Sequence, residues 1–153
     1  MINKALFEEL KQRFELDQKF NNNKSLIEFE RICSDNTSRL KKQISQYGWI
    51  SSSIVGEQGE LFAWLIVQHS ADLDFQKECL KLLKKLPLTN ERKGHIAYLA
   101  DKILVKENKK QLYGTQFSNK KPLPIANPES LDIRREEMGL DRFEEYFKLM
   151  TSR

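Results

Sequence analysis

Apolar residues recur along this chain at three- and four-residue intervals, the period of an amphipathic helix. Leu6, Leu10 and Phe14 share one face of a first helix, which is expected to stop at Asn21-Asn22-Asn23, a cluster of turn formers. Ser25 and Glu28 have the capping-box spacing that opens a second helix. Its stripe runs Leu26, Phe29, Cys33, Asn36, Leu40, Ile44 and Tyr47, so one inward position is an amide, and Gly48 is the expected stop. The segment from Trp49 to Gly59, punctuated by serines and glycines, reads as a loop. Glu60 to His69 is then apolar almost all round, with Trp64 inside it, and a helix of that kind belongs at the centre of a fold. A strand competes for the FAWLIV run, because aromatic and β-branched residues suit both forms; the helix is the preferred reading.

Asp72 or Asp74 can cap the next helix, which turns Phe75, Cys79, Leu82, Leu83 and Leu86 inward before Pro87 ends it. Thr89 or Asn90 caps a fifth helix with Ile96, Leu99, Ala100 and Ile103 inward and His95 and Asp101 near its two ends. From Lys106 the period is lost. Tyr113-Gly114 and Pro122-Leu123-Pro124 imply turn or extended structure, either a small hairpin or a loop lying across the helices. Asn127-Pro128 begins a return to helix, and Gly139 separates it from a last short helix carrying Phe143 and Tyr146. The predicted class is all-α (α-rich): a single helical domain over residues 1–153, with an N-terminal helix at 1–22 and a core at 25–150. Its central apolar helix is surrounded by the others, and residues 111–125 form a cover that meets it at a polar pocket.

A chain of 153 residues buries roughly 68–70% of its unfolded surface, enough for a core without metal or disulfide. Cys33 and Cys79 fall in separate helical patterns without metal-type spacing, which predicts two reduced, buried thiols. The first residues lack an apolar segment of signal type, and no run approaches the ~18 residues that span a bilayer, so a cytoplasmic protein with no membrane partner is expected. Formal net charge is +4, but residues 77–121 hold twelve Lys and Arg against four Asp and Glu. That excess is either the wet face of amphipathic helices or an attraction for an anionic ligand. No nucleic-acid motif accompanies it, so a nucleic-acid partner is disfavoured.

Candidate chemistry gathers where the central helix ends. His69 can exchange a proton near neutral pH and stands as general acid or base; alternatively it satisfies carbonyls in the last helical turn. Asp72 can orient the ring, or cap the helix after it. Gln68, Gln76 and Gln116 both donate and accept, which suits a planar polar ligand as well as loop backbone. Tyr113 can stack on a ligand or pack a loop, and Gly114 permits positive φ or close backbone approach. Arg135 can clamp a carboxylate or phosphate, or pair with Asp132, Glu136 or Glu137. No nucleophile elbow, P-loop, Rossmann fingerprint or HExxH is present, and two histidines without tight spacing announce no metal site or cofactor.

The ordered words GW at 48–49, VG at 55–56, AW at 63–64, QH at 68–69, FQ at 75–76, YGTQ at 113–116, RR at 134–135 and GL at 139–140 resemble a bacterial family known as domain of unknown function 6624. The resemblance spans roughly residues 35–146. Members read QHAD where this chain reads QHSAD, GWP where it has Gly48-Trp49-Ile50, and DR where it has Asp101-Lys102. A lysine at 102 lacks the planar fork of arginine. The resemblance implies no reaction. The leading expectation is therefore a pocket for a small, anionic ligand, with hydrolysis through His69 and Asp72 and contacts from Gln68, Gln76, Asp101, Tyr113, Gln116 and Arg135. The alternatives are a non-catalytic interaction or immunity-type module with a protein partner, and nucleotide or nucleic-acid binding through the basic segment.

Overall fold

A computed structural model describes residues 1–22 and 25–153; the turn expected to run on through Asn23 lies outside them. Among the described residues the chain forms seven α-helices, one short 3-10 turn and a two-stranded sheet, the all-α class that its periodicity predicts. It divides into two compact units, Met1–Leu82 and Leu83–Arg153.

In the first unit α1 (Lys4–Asn22) buries Leu6 and Leu10, and Phe14 stacks on Phe62 with ring centroids 4.7 Å apart. The same stripe ends on a carboxylate, Asp17, which is 2% exposed. Helix α2 (Leu26–Tyr47) turns Cys33, Asn36, Leu40 and Gln43 inward, whereas Leu26 and Tyr47, in its first and last turns, are exposed. The expected capping box is absent. Ser25 sits at the N-cap with ψ at 87°, outside the extended range that aims the hydroxyl at the first turn, and its carbonyl accepts from Phe29 N–H at 3.0 Å. Gly48 does end the helix, at φ +73°, donating to the Ile44 carbonyl at 2.8 Å.

The central helix starts earlier than its sequence suggests. α3 runs Ser52–His69, and a break at Gly56 (φ +77°, ψ 166°) joins a first turn to the main segment, so the loop after α2 is short. Glu60 holds that first turn: its buried carboxylate accepts from Trp49 Nε1 at 3.0 Å and from Ser52 N–H at 2.7 Å. Local charge-assisted bonds thus outweigh the loop-forming tendency of three serines. FAWLIV is helical, with Phe62, Ala63, Ile66 and Val67 buried and Trp64 only half-buried, which corrects the expectation that Trp64 anchors the core. α3 packs on both α1 and α2, which also pack together. Each fully buried Ile, Val or Phe stabilises by about 1.5–3 kcal/mol. Asp72 caps α4 (Leu73–Lys84), accepting from Phe75 N–H at 2.9 Å, and Phe75 and Cys79 face inward. Cys33 and Cys79 are buried and are not joined in a disulfide, and burial pushes the Cys79 thiol up to about 12.

Glu9 joins α1 to α2 through Arg39, with Nε at 2.5 Å and Nη2 at 2.9 Å, and also accepts from Arg13 at 3.2 Å. The Arg39 hydrogen bonds hold the Glu9 carboxyl down at about 2, against an ordinary 4.5. A folded-state pKa below the unfolded one means that this contribution is whole above about pH 4.5 and is lost as pH falls towards 2. Urea titrations across that window should show Glu9→Gln losing less stability with acid than the wild type. Parallel profiles would show that the pair contributes nothing.

The second unit is built around α5 (Asn90–Lys106), capped by Thr89, whose hydroxyl accepts from Arg92 N–H at 3.2 Å. Ile96, Leu99 and Ile103 are buried as expected; Ala97 is buried too, and Ala100 is half-buried. The segment expected to form a cover holds a hairpin of β1 (Phe117–Ser118) and β2 (Lys121–Pro122), pairing Phe117 with Pro122 and Ser118 with Lys121. Asn119 and Lys120 both take positive φ, as a two-residue hairpin turn requires. Pro128–Ser130 forms a 3-10 turn into α6 (Leu131–Glu137), and Gly139 precedes α7 (Phe143–Thr151). Gly114 has φ +68°, and a Cβ there would lie 2.9 Å from the Phe143 ring, so both reasons for glycine apply.

Candidate functional site

His69 stands at the end of α3, and its Nδ1 lies 2.8 Å from both oxygens of Asp17 on α1. A carboxylate only accepts, so Nδ1 carries a proton, and Nε2 is the ring nitrogen left for exchange with a ligand. The Asp17 carboxylate is buried, the imidazole is about one-fifth exposed, and the Phe29 ring meets it edge-on at 5.7 Å. The ring's partner is therefore Asp17, not Asp72. Asp72 is engaged elsewhere: Oδ1 caps α4, and Oδ2 accepts from Lys41 Nζ at 2.5 Å. That lysine holds the Asp72 carboxyl below its usual range, and Asp72 raises Lys41 in return.

A cleft of about 320 Å³ opens beside this pair. Its wall includes Phe29 and Glu30 from α2, Ser34, Ser38 and Lys41 further along it, and His69 to Asp72 at the α3–α4 corner. Thr37 and Ser70 brace the wall: Thr37 donates to the Cys33 carbonyl, the two hydroxyls lie 2.8 Å apart, and Ser70 Oγ accepts from Asp72 N–H at 3.2 Å. Glu30, Asp72 and the Asp17 behind His69 outnumber Lys41. The anionic ligand is expected from the basic segment 77–121 and from Arg135, and none of these residues lines this cleft.

Gln68 and Gln76 do not line this cleft. Gln76 donates to the Val67 carbonyl at 2.9 Å, closing the end of α3, while Gln68 Nε2 is buried with no hydrogen-bond partner among the described residues. The other four residues gather in the second unit around backbone. Asp101, fully buried, accepts from the N–H groups of Leu112 (2.7 Å), Tyr113 (3.0 Å) and Thr115 (3.0 Å) and from the Thr115 hydroxyl (2.9 Å). Arg135, 2% exposed, donates from Nη1 to the Tyr113 carbonyl and from Nε to the Asp141 carbonyl, both at 2.6 Å. Its guanidinium lies over the rings of Tyr146 (4.9 Å) and Phe143 (5.8 Å), and desolvation lowers its pKa. Gln116 N–H donates to Gln111 Oε1 at 2.8 Å, and its amide reaches Thr115 Oγ1. Burial raises the Tyr113 phenol.

Sequence reasoning missed two contributors and noticed a third, Gln111, without giving it a role. Asp17 follows Phe14 by three residues, so the helical stripe of α1 already placed a carboxylate inward. Lys41 had no signal beyond following Leu40. Gln111 is the hub of the cover, donating to the Gln116 and Leu123 carbonyls, and only its place at the loss of helical period hinted at it. Among the described residues no group of three or more His, Cys, Asp or Glu could hold a metal ion, and no helix is long and apolar enough to cross a membrane.

A family model described as "Family of unknown function (DUF6624)" matches residues 10–153. No curated protein and no solved structure matches the chain.

Proposed function

We propose that this chain, which belongs to the DUF6624 family of unknown function, binds a small polar ligand in the cleft beside His69 and hydrolyses it. One observation carries the reading: an imidazole whose Nδ1 is held by a buried carboxylate at 2.8 Å stands on the wall of a cleft of about 320 Å³. With Asp17 fixing ring and tautomer, Nε2 takes a proton from water. The water oxygen adds to an acyl carbon, the bond to the leaving group breaks, and His69 returns the proton to that group. Lys41 has ammonium protons beyond the one directed at Asp72, and these can face the negative charge that develops on the acyl oxygen. The carboxylate excess around the cleft favours a neutral or cationic substrate. Two buried cysteines not joined in a disulfide suit a cytoplasmic setting.

A thermal-shift screen of the full chain across nucleotides, sugars, amino acids and peptides identifies the ligand, since binding raises stability by mass action. His69→Gln should keep a near-native Tm and weaken binding at least tenfold, and Asp17→Asn should slow turnover by about 10²–10⁴. A ligand that binds the His69 variant with unchanged affinity, or a Tm that falls as far as in a core variant, makes His69 a scaffold residue and leaves the interaction-module reading in place.

A further inference from the structure

A second cleft lies in the same unit, where the start of α1 meets the last turns of α2. It measures about 210 Å³ and is lined by Asn3, Glu9, Arg39, Lys42, Gln43 and Tyr47, among others. None of these residues lines the cleft at His69. Gln43 is the uncommon member. It is 4% exposed, and neither Nε2 nor Oε1 has a hydrogen-bond partner among the described residues. Native proteins leave few such groups, and an amide open at both ends offers donors and an acceptor side by side. Beside it stand two cations, Arg39 and Lys42, and one carboxylate, Glu9. Arg39 turns Nε and Nη2 to Glu9, which leaves its Nη1 edge outside that fork.

We propose that this cleft is a ligand site for a small carboxylate bearing an amide, with Gln43 pairing the amide edge and Lys42 and Arg39 receiving the carboxylate. The volume leaves room for a molecule of the size of an acylated amino acid, since a water needs only about 10–15 Å³ of such space. The Gln43 amide is shielded from bulk water, so the ligand enters as that side chain swings into the cleft that its stem lines. This site is independent of the chemistry at His69.

The test is a titration of the ¹⁵N-labelled full chain with N-acetylglycine, with acetate and N-methylacetamide as single-group controls. N-Acetylglycine should give saturable shifts of the Gln43 side-chain NH₂ and of the Lys42 and Tyr47 amides, and each control should bind at least tenfold more weakly. Gln43→Leu, which keeps apolar volume without the amide, and Lys42→Met should each weaken N-acetylglycine binding at least tenfold while His69 resonances stay in place. Acetate binding as tightly as N-acetylglycine would reduce the site to a general anion patch and overturn the proposal. So would an unmoved Gln43 NH₂ with a cross-peak to a long-lived water, or unchanged affinity in Gln43→Leu.

Discussion

Asp101→Ala is expected to destabilise the second unit by about 3–5 kcal/mol, because the substitution strands three N–H groups at once and each buried orphan costs about 1–3 kcal/mol. Leu112 and Tyr113 N–H are only partly buried, so water recovers part of the loss there; Thr115 N–H is buried. Net stabilities of small proteins are about 5–15 kcal/mol, so the variant should melt far below the wild type. Asp101→Asn keeps the shape but turns an NH₂ towards donors, and should fall between the two. The local readout is hydrogen exchange: amide protection at Leu112, Tyr113 and Thr115 should collapse in Asp101→Ala before protection along α5 does. A urea midpoint within error of the wild type would show that the loop does not depend on this carboxylate.

Arg135→Lys should also destabilise, by about 2–3 kcal/mol, although it conserves charge. Two carbonyls, of Tyr113 and Asp141, are met by two edges of one planar group, and hydrogen bonds from a charged donor contribute about 1.5–3 kcal/mol each. An ammonium can keep only one, and it stacks less well between Tyr146 and Phe143. Arg135→Met should lose about 3–5 kcal/mol, since both carbonyls are then left without the donor. The result separates two roles. An anion clamp predicts unchanged Tm with lost ligand binding; the geometry predicts early melting, and a native Tm in Arg135→Lys would restore the clamp.

The sequence made the helices legible because apolar spacing reports which face is buried, and this chain keeps that spacing from Leu6 to Ile103. Glycine and proline marked Gly48, Gly114 and Gly139 correctly, since their φ demands are local. What stayed hidden depends on groups brought together from afar. The capping box at Ser25 failed because spacing does not fix the N-cap dihedral. Glu60 looked like a helix start and is an internal cap for Trp49 and Ser52. His69 was legible as a polar group ending a buried helix, but not its partner, because Asp72 is near in sequence and Asp17 is 52 positions away. Asp101 and Arg135 were legible as unusual polar residues, while their service to backbone carbonyls and N–H groups leaves no side-chain pattern to read.

That separation of 52 positions gives the first helix an influence it would not have from the cleft alone. None of the cleft wall comes from α1, yet α1 brings the carboxylate that fixes the imidazole. Loosening α1 from α3 by trimming Phe14 would change no residue of the cleft wall, yet it would draw away the carboxylate that holds the imidazole in place. The docking of α1 is thus a route by which a change on that helix reaches His69 without altering a residue of the cleft wall.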